Sequence, residues 1–528
     1  MSLDTLISSE TLSDIADGVR HVMGTTKTYT PTEMAVELQG YTTSGIETGV
    51  EFLDHDGTIL YSYTWDEIAE LTELPDLPTW ADAGSDYGFS IPMTCEGWNW
   101  TLDSLQEHST GGKVLVGAVY CPTDTHTHYI MHIGAGTDAC LGLTPSVDGG
   151  VSIDWGDGSD ETVTEGTSMA YYEHTYDEEG YYEIIIKVTD GTVALGGDAV
   201  DGSTNRQAVG NLPSYSVDAE YLYHNGQLIS AYCGSAVTQL IDYAFCQCFA
   251  LTSATISTSV TAIGTYVFDG CTHLLSITIP DSVTSIDTCT FCNGYSLTSV
   301  AIPDSVTSIG SYAFYCCYSL TSVAIPDGVE TIDAYSFYCC YSLRSIAIPD
   351  SVTAISNYAF TNCRALSDVS IPDGVESIGR NAFQNCRSLT SVVIPENCFT
   401  LGSYAFQYCY SLTSVTLLRD STQYIYSYAF NGCVALVSIG SLYINSTATY
   451  TFRYCGRLTN VTATRINQSI SFAESPLLTV DSLNNIIAAL ADYSTSSSSY
   501  TLTIGETNIA KLTDEELAVG TGKGWTIE

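Results

Sequence analysis

Apolar positions recur along this chain on a 23-residue period over about half its length. A phenylalanine column runs Phe245, Phe268, Phe291, Phe314, Phe337, Phe360, Phe383 and Phe406, then Phe430 and Phe452 after shifts of one residue. Leucines from Leu251 to Leu458 and prolines from Pro280 to Pro395 keep step. A fixed period of roughly 20 to 50 residues denotes one supersecondary unit, repeated and stacked. Within the repeat that starts at Leu320, Val323 and Ile325 alternate with Ser322 and Ala324, which predicts a short strand with one buried face. Pro326 removes a backbone donor and ends that strand, and Asp327-Gly328 supplies turn chemistry. Val329 and Ile332 point inward again, and Tyr335 to Cys340 reads as a short helical turn plugged by Phe337. No single unit can bury these columns alone, so stacked neighbours must do it.

Outside the repeats the pattern changes. Residues 1–42 predict a helical attachment segment: Leu12, Ile15 and Val19 share one helical face, and Thr30-Pro31-Thr32-Glu33 is a capping box that leads into Met34 and Leu38. Helices this short do not fold alone, so docking on a partner or self-association would supply the missing burial. Residues 45–108 carry a hairpin signal around Asp56-Gly57 and a helix at about 65–72. Alternating strands with Gly-rich turns predict a β-sandwich over 112–212. The solenoid takes 213–465, with ten repeats. Residues 466–528 break the period and predict a cap of helix (about 480–492), Ser-rich link, strand (500–504) and helix (513–519). The fold class expected is therefore multidomain and mainly β, a leucine-rich solenoid preceded by smaller modules.

Four stretches resemble known families. The pattern L-x-x-V-x-I-P-x-x-V-x-x-I-x-x-x-A-F-x-x-C, over roughly 236–460, resembles the leucine-rich repeat of BspA-like bacterial surface antigens. That resemblance implies adhesion or ligand binding, not catalysis. Trp155-Gly-Asp-Gly158, His174-Thr-Tyr176 and the spacing Gly180, Tyr182, Ile184, Val188, Asp190 resemble polycystic-kidney-disease-type (PKD) immunoglobulin-like domains, which implies a rigid spacer. Asp56-Gly-Thr-Ile-Leu60 with the later Gly97-Trp98 is similar to the small β-grasp repeats of bacterial surface proteins. The run from Asp14 to Ala35 resembles the opening segment of bacteriophage tail and fibre proteins, which implies virion attachment through Leu12, Ile15, Val19, Met34 and Leu38. Together they imply a non-enzymatic virion protein, tail- or fibre-associated, that binds the host surface through its solenoid. The alternative is a bacterial cell-surface adhesin using the same repeats, and an accessory of a carbohydrate-active enzyme stands third.

Charge narrows the partners. Sixty Asp and Glu against 15 Lys and Arg give a net charge of −45, which repels nucleic acid and anionic membrane surfaces. No apolar stretch is long enough to insert in a membrane, and the first residues lack the basic start of a secretory signal. No cofactor is expected, although so acidic a composition leaves calcium open. Homo-oligomerisation is left open as well. Of 19 cysteines, nine fill one repeat column: Cys248, Cys271, Cys317, Cys340, Cys363, Cys386, Cys409, Cys433 and Cys455, interrupted by Gly294. Stacked side chains of one column point in parallel, which suits a buried thiol ladder better than disulfides. Cys246, Cys292, Cys316 and Cys339 are expected nearer the surface.

Candidate chemistry is sparse, and no catalytic residue is nominated. His126, His128 and His132 would share one face of a strand and are the weak metal candidates, against the plainer reading of an exposed polar face. Asp154 and Asp157 are read as shaping a turn. The residue after the cysteine column varies where the scaffold does not, and it gives the candidate ligand-binding stripe Tyr295, Tyr318, Tyr341, Arg364, Arg387 and Tyr410. Tyrosine and arginine dominate binding surfaces, and ring faces suit sugars, so a host glycan or protein is the expected partner. The competing reading is that these tyrosines only pack between turns. A second column, Tyr312, Tyr335, Tyr358, Tyr404 and Tyr428, reads as packing.

Overall fold

The computed structural model describes residues 49–53, 59–71, 73, 75, 93–98, 113–122, 125–133, 137–163, 166–196, 228–418, 424–445 and 448–528. The expected attachment residues Leu12, Ile15, Val19, Met34 and Leu38 lie outside them.

The repeats coil into a β-solenoid of about 13 turns. Each turn meets its neighbour in register, so like pairs with like: Ser285 with Ser308, Ile286 with Ile309, Ile332 with Ile355, Ile378 with Leu401. These short strands build a seven-stranded parallel sheet from Ser285–Ile286 to Tyr424–Ile425. A second line of strands includes Ser345–Ala347 with Asp368–Ser370, then Ser391–Ile394, Ser414–Leu417, Ser438–Ile444 and Asn460–Ile466. Val323, Val329 and Ile332 are buried, but so is Ser322, and the strand expected at 322–325 is reduced to an isolated parallel bridge between Ala324 and Ala347.

The expected helical turn at Tyr335–Cys340 is not a helix. Tyr335 and Cys339, two residues before and after Phe337, have φ of 59° and 61°. The N–H groups of Tyr335, Phe337 and Cys339 donate across to Asn357, Ala359 and Thr361 of the next turn. Those of Ser336, Tyr338 and Cys340 donate back three residues within the turn. Alternating right- and left-handed backbone thus aims every second donor at the neighbouring coil, which a helix, bonding only to itself, cannot do. The same two columns have positive φ along the solenoid, with Tyr, Cys, Asn or Gln in most turns and Gly270 and Gly432 in two. Such strain persists where the surroundings over-determine it, and here stacking on both sides does so.

Down the middle runs a ring ladder. Eleven phenylalanines from Phe245 to Phe472 stack with centroids 5.0 to 5.9 Å apart. Phe472 extends the ladder one rung beyond the repeat pattern. Tyr129 abuts its other end, edge-on to Phe245 at 5.9 Å. The cysteine column lies beside it with a specific bond: each thiol from Cys271 to Cys455 donates to the phenylalanine carbonyl of the preceding turn. Cys363 Sγ reaches Phe337 O at 3.2 Å and Cys386 Sγ reaches Phe360 O at 3.3 Å. Phe337 O also accepts the Cys340 N–H at 3.3 Å, so both its lone pairs are used.

Both ends are covered. Leu228–Tyr232 pairs antiparallel with Thr127–Ile133 and parallel with Ser253–Thr255. Val237–Leu240 pairs parallel with Val193–Leu195 and with Ala262–Ile263. The two sheets that precede the solenoid therefore run on into it, across the domain boundary expected at 212–213, and one apolar core spans Tyr129 to Trp525. At the other end the helix Val480–Ala489 lies along Asn460–Ile466, where another strand would pair. Ser482 Oγ accepts the Val461 N–H at 3.1 Å and Asn485 Oδ1 accepts that of Ala463 at 2.6 Å, which satisfies an exposed strand edge. The cap ends in helices Glu506–Ile509 and Asp514–Thr521 and a parallel sheet of Ile470–Ser471, Tyr500–Thr503 and Trp525–Ile527. Before residue 123, the strands Gly49–Leu53 and Ile59–Tyr63 pair antiparallel around the expected hairpin. The helix Trp65–Glu70 follows, with Thr64 and Glu67 capping its start.

Candidate functional site

The stripe residues sit where each turn leaves the core, one position past the buried cysteine. Tyr295, Tyr318 and Tyr341 stack with centroids 4.8 and 4.9 Å apart and rings within 9° of parallel. The Arg364 guanidinium lies 4.5 Å over the Tyr341 ring, and Arg387 lies 5.4 Å over Tyr410. The six candidates therefore form one column along the solenoid. Ring faces inside it are covered by neighbouring rings, so a sugar cannot lie flat on Tyr318; a ligand meets ring edges and guanidinium groups instead. Tyr410, at the far end, is the most open of the six at 39% exposed.

The column is held from behind. The Tyr318 side chain hydrogen-bonds Cys316 and Tyr341 hydrogen-bonds Cys339, while Asn362 Nδ2 donates to Cys339 Sγ at 3.3 Å. Hydrogen bonding from Cys316 is the main cause that holds the Cys339 thiol below its ordinary value, with the Tyr341, Asn362 and Arg364 side chains helping against burial. Burial pushes the Tyr295, Tyr318 and Tyr341 hydroxyls up, so they stay neutral donors. Arg364 and Arg387 have no carboxylate within ion-pair distance among the described residues, and Nε of each is buried without a hydrogen-bond partner. Burial, then the Arg364 charge, lowers the Arg387 pKa. Two adjacent cations without acids stand out in a chain of net charge −45.

The second tyrosine column packs, in line with the expectation. Tyr312, Tyr335 and Tyr358 stack at 4.7 and 4.6 Å, and Tyr404 stacks on Tyr428 at 4.8 Å. In this second column, at the position between Tyr266 and Tyr312, stands a feature that the cysteine column hides in the sequence. Cys289-Thr-Phe-Cys292 is a Cys-x-x-Cys spacing, and Cys292 Sγ donates to Tyr312 O at 3.1 Å.

The structure does not gather His126, His128 and His132 into one cluster. His128 is buried in the strand Thr127–Ile133 and Nδ1 lies 3.1 Å from Glu183 Oε1 on the neighbouring strand. His132 faces Glu179 at 3.7 Å, and His126 lines a small cavity with Thr125, Ser235 and Ile186. Among the described residues no three His, Cys, Asp or Glu side chains converge as metal ligands do. Asp154 pairs with Lys187 Nζ at 2.8 Å, and its Oδ1 accepts the Gly156 N–H. Asp157 binds Ser159 and, at 2.7 Å, His174; hydrogen bonds from Ser159 first and then His174 hold its carboxyl down to about 2. His174 in turn stacks on buried Trp155 at 5.2 Å, and Tyr176 donates to Trp155 O at 2.7 Å. Both aspartates are thus engaged in tying the turn to its strands.

Comparison with known proteins agrees with the repeat geometry. Residues 238–367 and 353–479 match the model of the BspA type leucine rich repeat region, in six copies. The repeats of this solenoid are thus similar to the BspA type leucine rich repeat. No curated protein matches the chain. Among solved structures, a leucine-rich repeat protein from Bacteroides ovatus is 21% identical at a TM-score of 0.38, covering 65% of this chain and 97% of its own. A leucine rich cell surface protein from Faecalibacterium prausnitzii is 25% identical at 0.28, covering 52% and 91%. The pneumococcal vaccine antigen PcpA is 18% identical at 0.30, covering 56% and 71%. The matched region begins within Val237–Leu240, the strand that pairs with Val193–Leu195, and ends just before the capping helix Val480–Ala489.

Proposed function

We propose that this chain is a non-enzymatic binding protein displayed outside the cell, whose BspA-type solenoid recognises a glycan or protein on another surface. The observation that carries this reading is the rigid column from Tyr295 to Tyr410, in which Arg364 and Arg387 have no ion pair among the described residues. Stacked rings with tethered hydroxyls lose little freedom on binding, which is the advantage of a preorganised surface. Guanidinium edges presented side by side suit a carboxylate or other oxyanion on the partner. Display on a bacterial surface is the setting that BspA-type repeats favour. Attachment to a bacteriophage particle through residues 1–42 is a narrower setting that rests on the resemblance of Asp14 to Ala35.

The test is binding of labelled full-length chain to intact bacterial cells. Tyr318→Ala with Tyr341→Ala, and separately Arg364→Ser with Arg387→Ser, should each weaken binding about tenfold or more, with circular dichroism unchanged. Undiminished binding by both folded variants removes the column as the site. Deleting residues 1–42 separates the settings: particles that still incorporate the truncated chain exclude attachment through that segment.

A further inference from the structure

The turn around Phe291 departs from those that follow it. At two residues before and one after the phenylalanine, the next turns carry touching rings: Tyr312 with Tyr315 and Tyr335 with Tyr338, each pair 5.6 Å apart. Around Phe291 the same corners are Cys289 and Cys292. Cys292 N–H donates to Cys289 O at 3.2 Å, so the two cysteines close a hydrogen-bonded β-turn. Corners of such a turn lie within about 7 Å, Cα to Cα, and a disulfide spans roughly 4.4 to 6.8 Å. At the equivalent corners of the next turns the side chains touch, so the two thiols face each other, and Cys292 Sγ also donates to Tyr312 O at 3.1 Å.

Other thiols in the solenoid are placed differently. Cys316 and Cys339 also hydrogen-bond. They occupy equivalent positions on consecutive turns, however, where Cβ vectors run parallel at the spacing of stacked strands, about 4.8 Å. A disulfide needs a Cβ separation of about 3.8 Å. Ladder thiols aim at phenylalanine carbonyls and are no more than 1% exposed, against 7% for Cys289 and 4% for Cys292. Cys289 also accepts from the Tyr266 hydroxyl in the preceding turn. The neighbouring Cys292 thiol first, and the Tyr266 hydroxyl, favour the thiolate at Cys289 against the penalty of burial.

We propose that Cys289 and Cys292 are a thiol–disulfide exchange site, which small disulfides oxidise to a bridge within one turn. The Cys289 thiolate attacks one sulfur of a disulfide RSSR, forming a mixed disulfide and expelling RS⁻, which takes up the proton Cys289 has given up. Cys292 then attacks Cys289 Sγ and expels the second RS⁻, which takes the Cys292 proton. Two protein thiols are oxidised, and one small disulfide is reduced to two thiols. Closing the bridge shortens one corner of the turn between Tyr266 and Tyr312, next to the column that begins at Tyr295.

Full-length chain is incubated with oxidised glutathione at mixed ratios to reduced glutathione, unfolded in an alkylating agent, and mapped by peptide mass spectrometry. The expected result is a Cys289–Cys292 bridge that rises with the oxidised fraction, while Cys317, Cys340 and Cys363 are recovered alkylated. Cys292→Ser should stop at the glutathione mixed disulfide on Cys289. A urea-unfolded sample treated alike shows that the oxidant is competent. Recovery of Cys289 and Cys292 fully alkylated from the folded chain, under conditions that oxidise the unfolded one, overturns the proposal. A bridge between Cys316 and Cys339 in place of this one overturns it too.

Discussion

At the scale of single residues, the cysteine column shows how a weak donor earns a fixed place. A thiol is small and apolar enough for the solenoid interior, yet it can still donate to a carbonyl that lies one turn away. Cys363 is fully buried and its thiol reaches Phe337 O at 3.2 Å. Cys363→Ala removes that bond and leaves a small void, so it should cost about 1–2 kcal/mol in urea unfolding. A variant as stable as the parent would mean that the ladder bond contributes nothing. The cysteine and phenylalanine columns are plain in the sequence because one residue type repeats. Carbonyl partners are not, because a backbone acceptor 26 residues away carries no residue label. The thiol partners of Tyr318 and Tyr341 are hidden likewise, since their spacing of two residues means contact only once the backbone twists left-handed between them. Glu183 beside His128 comes from a strand 55 residues on, a distance that no local pattern reports.

At the scale of elements, the third side of each turn is the part that residue types conceal. Tyrosine and cysteine seldom adopt positive φ, so Tyr335 to Cys340 predicts a helical turn, whereas the structure alternates backbone hands to bond with the next coil. The signal that was present is Asn at 293, 362, 381 and 385 and Gly at 270 and 432, residues that accept left-handed backbone, standing in the same two columns. Tyr428, at φ 62°, offers the check. Both Tyr428→Val and Tyr428→Asn lose the ring stack, but only valine adds a branched Cβ at that φ. The valine variant should be less stable than the asparagine variant by roughly 1–2 kcal/mol in denaturant unfolding. Equal stabilities would show that the left-handed column imposes no such constraint. The strands and capping helices are more legible, because alternation and capping boxes act within a few residues: Val480–Ala489 and Asp514–Thr521 form close to where the pattern puts them.

At the scale of the molecule, each turn contacts chiefly the turns beside it, so length is a free variable while phase is not. Removal of 23 residues, Tyr341 to Cys363, joins Cys340 to Arg364 and keeps every column aligned. That shortened chain should fold, with circular dichroism per residue unchanged and a modestly lower urea midpoint. Removal of Tyr341 to Ser351 alone puts Phe360 out of line with Phe337 and should yield an unfolded or aggregated product. If both deletions behave alike, the coils are not acting as interchangeable units. Ring stacking also explains why the sequence reveals the binding column but not its mode: periodicity places Tyr318 outside the core, and only the 4.8 Å approach of Tyr295 shows that its face is occupied.

Ser482 and Asn485 have a consequence beyond the turn they finish. Every coil presents the next with identical side chains in register and a row of open backbone groups, which is the template on which fibres grow. Two polar side chains on one short helix occupy that template at Val461 and Ala463. They close this edge of the rod to a further strand, the contact through which end-to-end growth would begin.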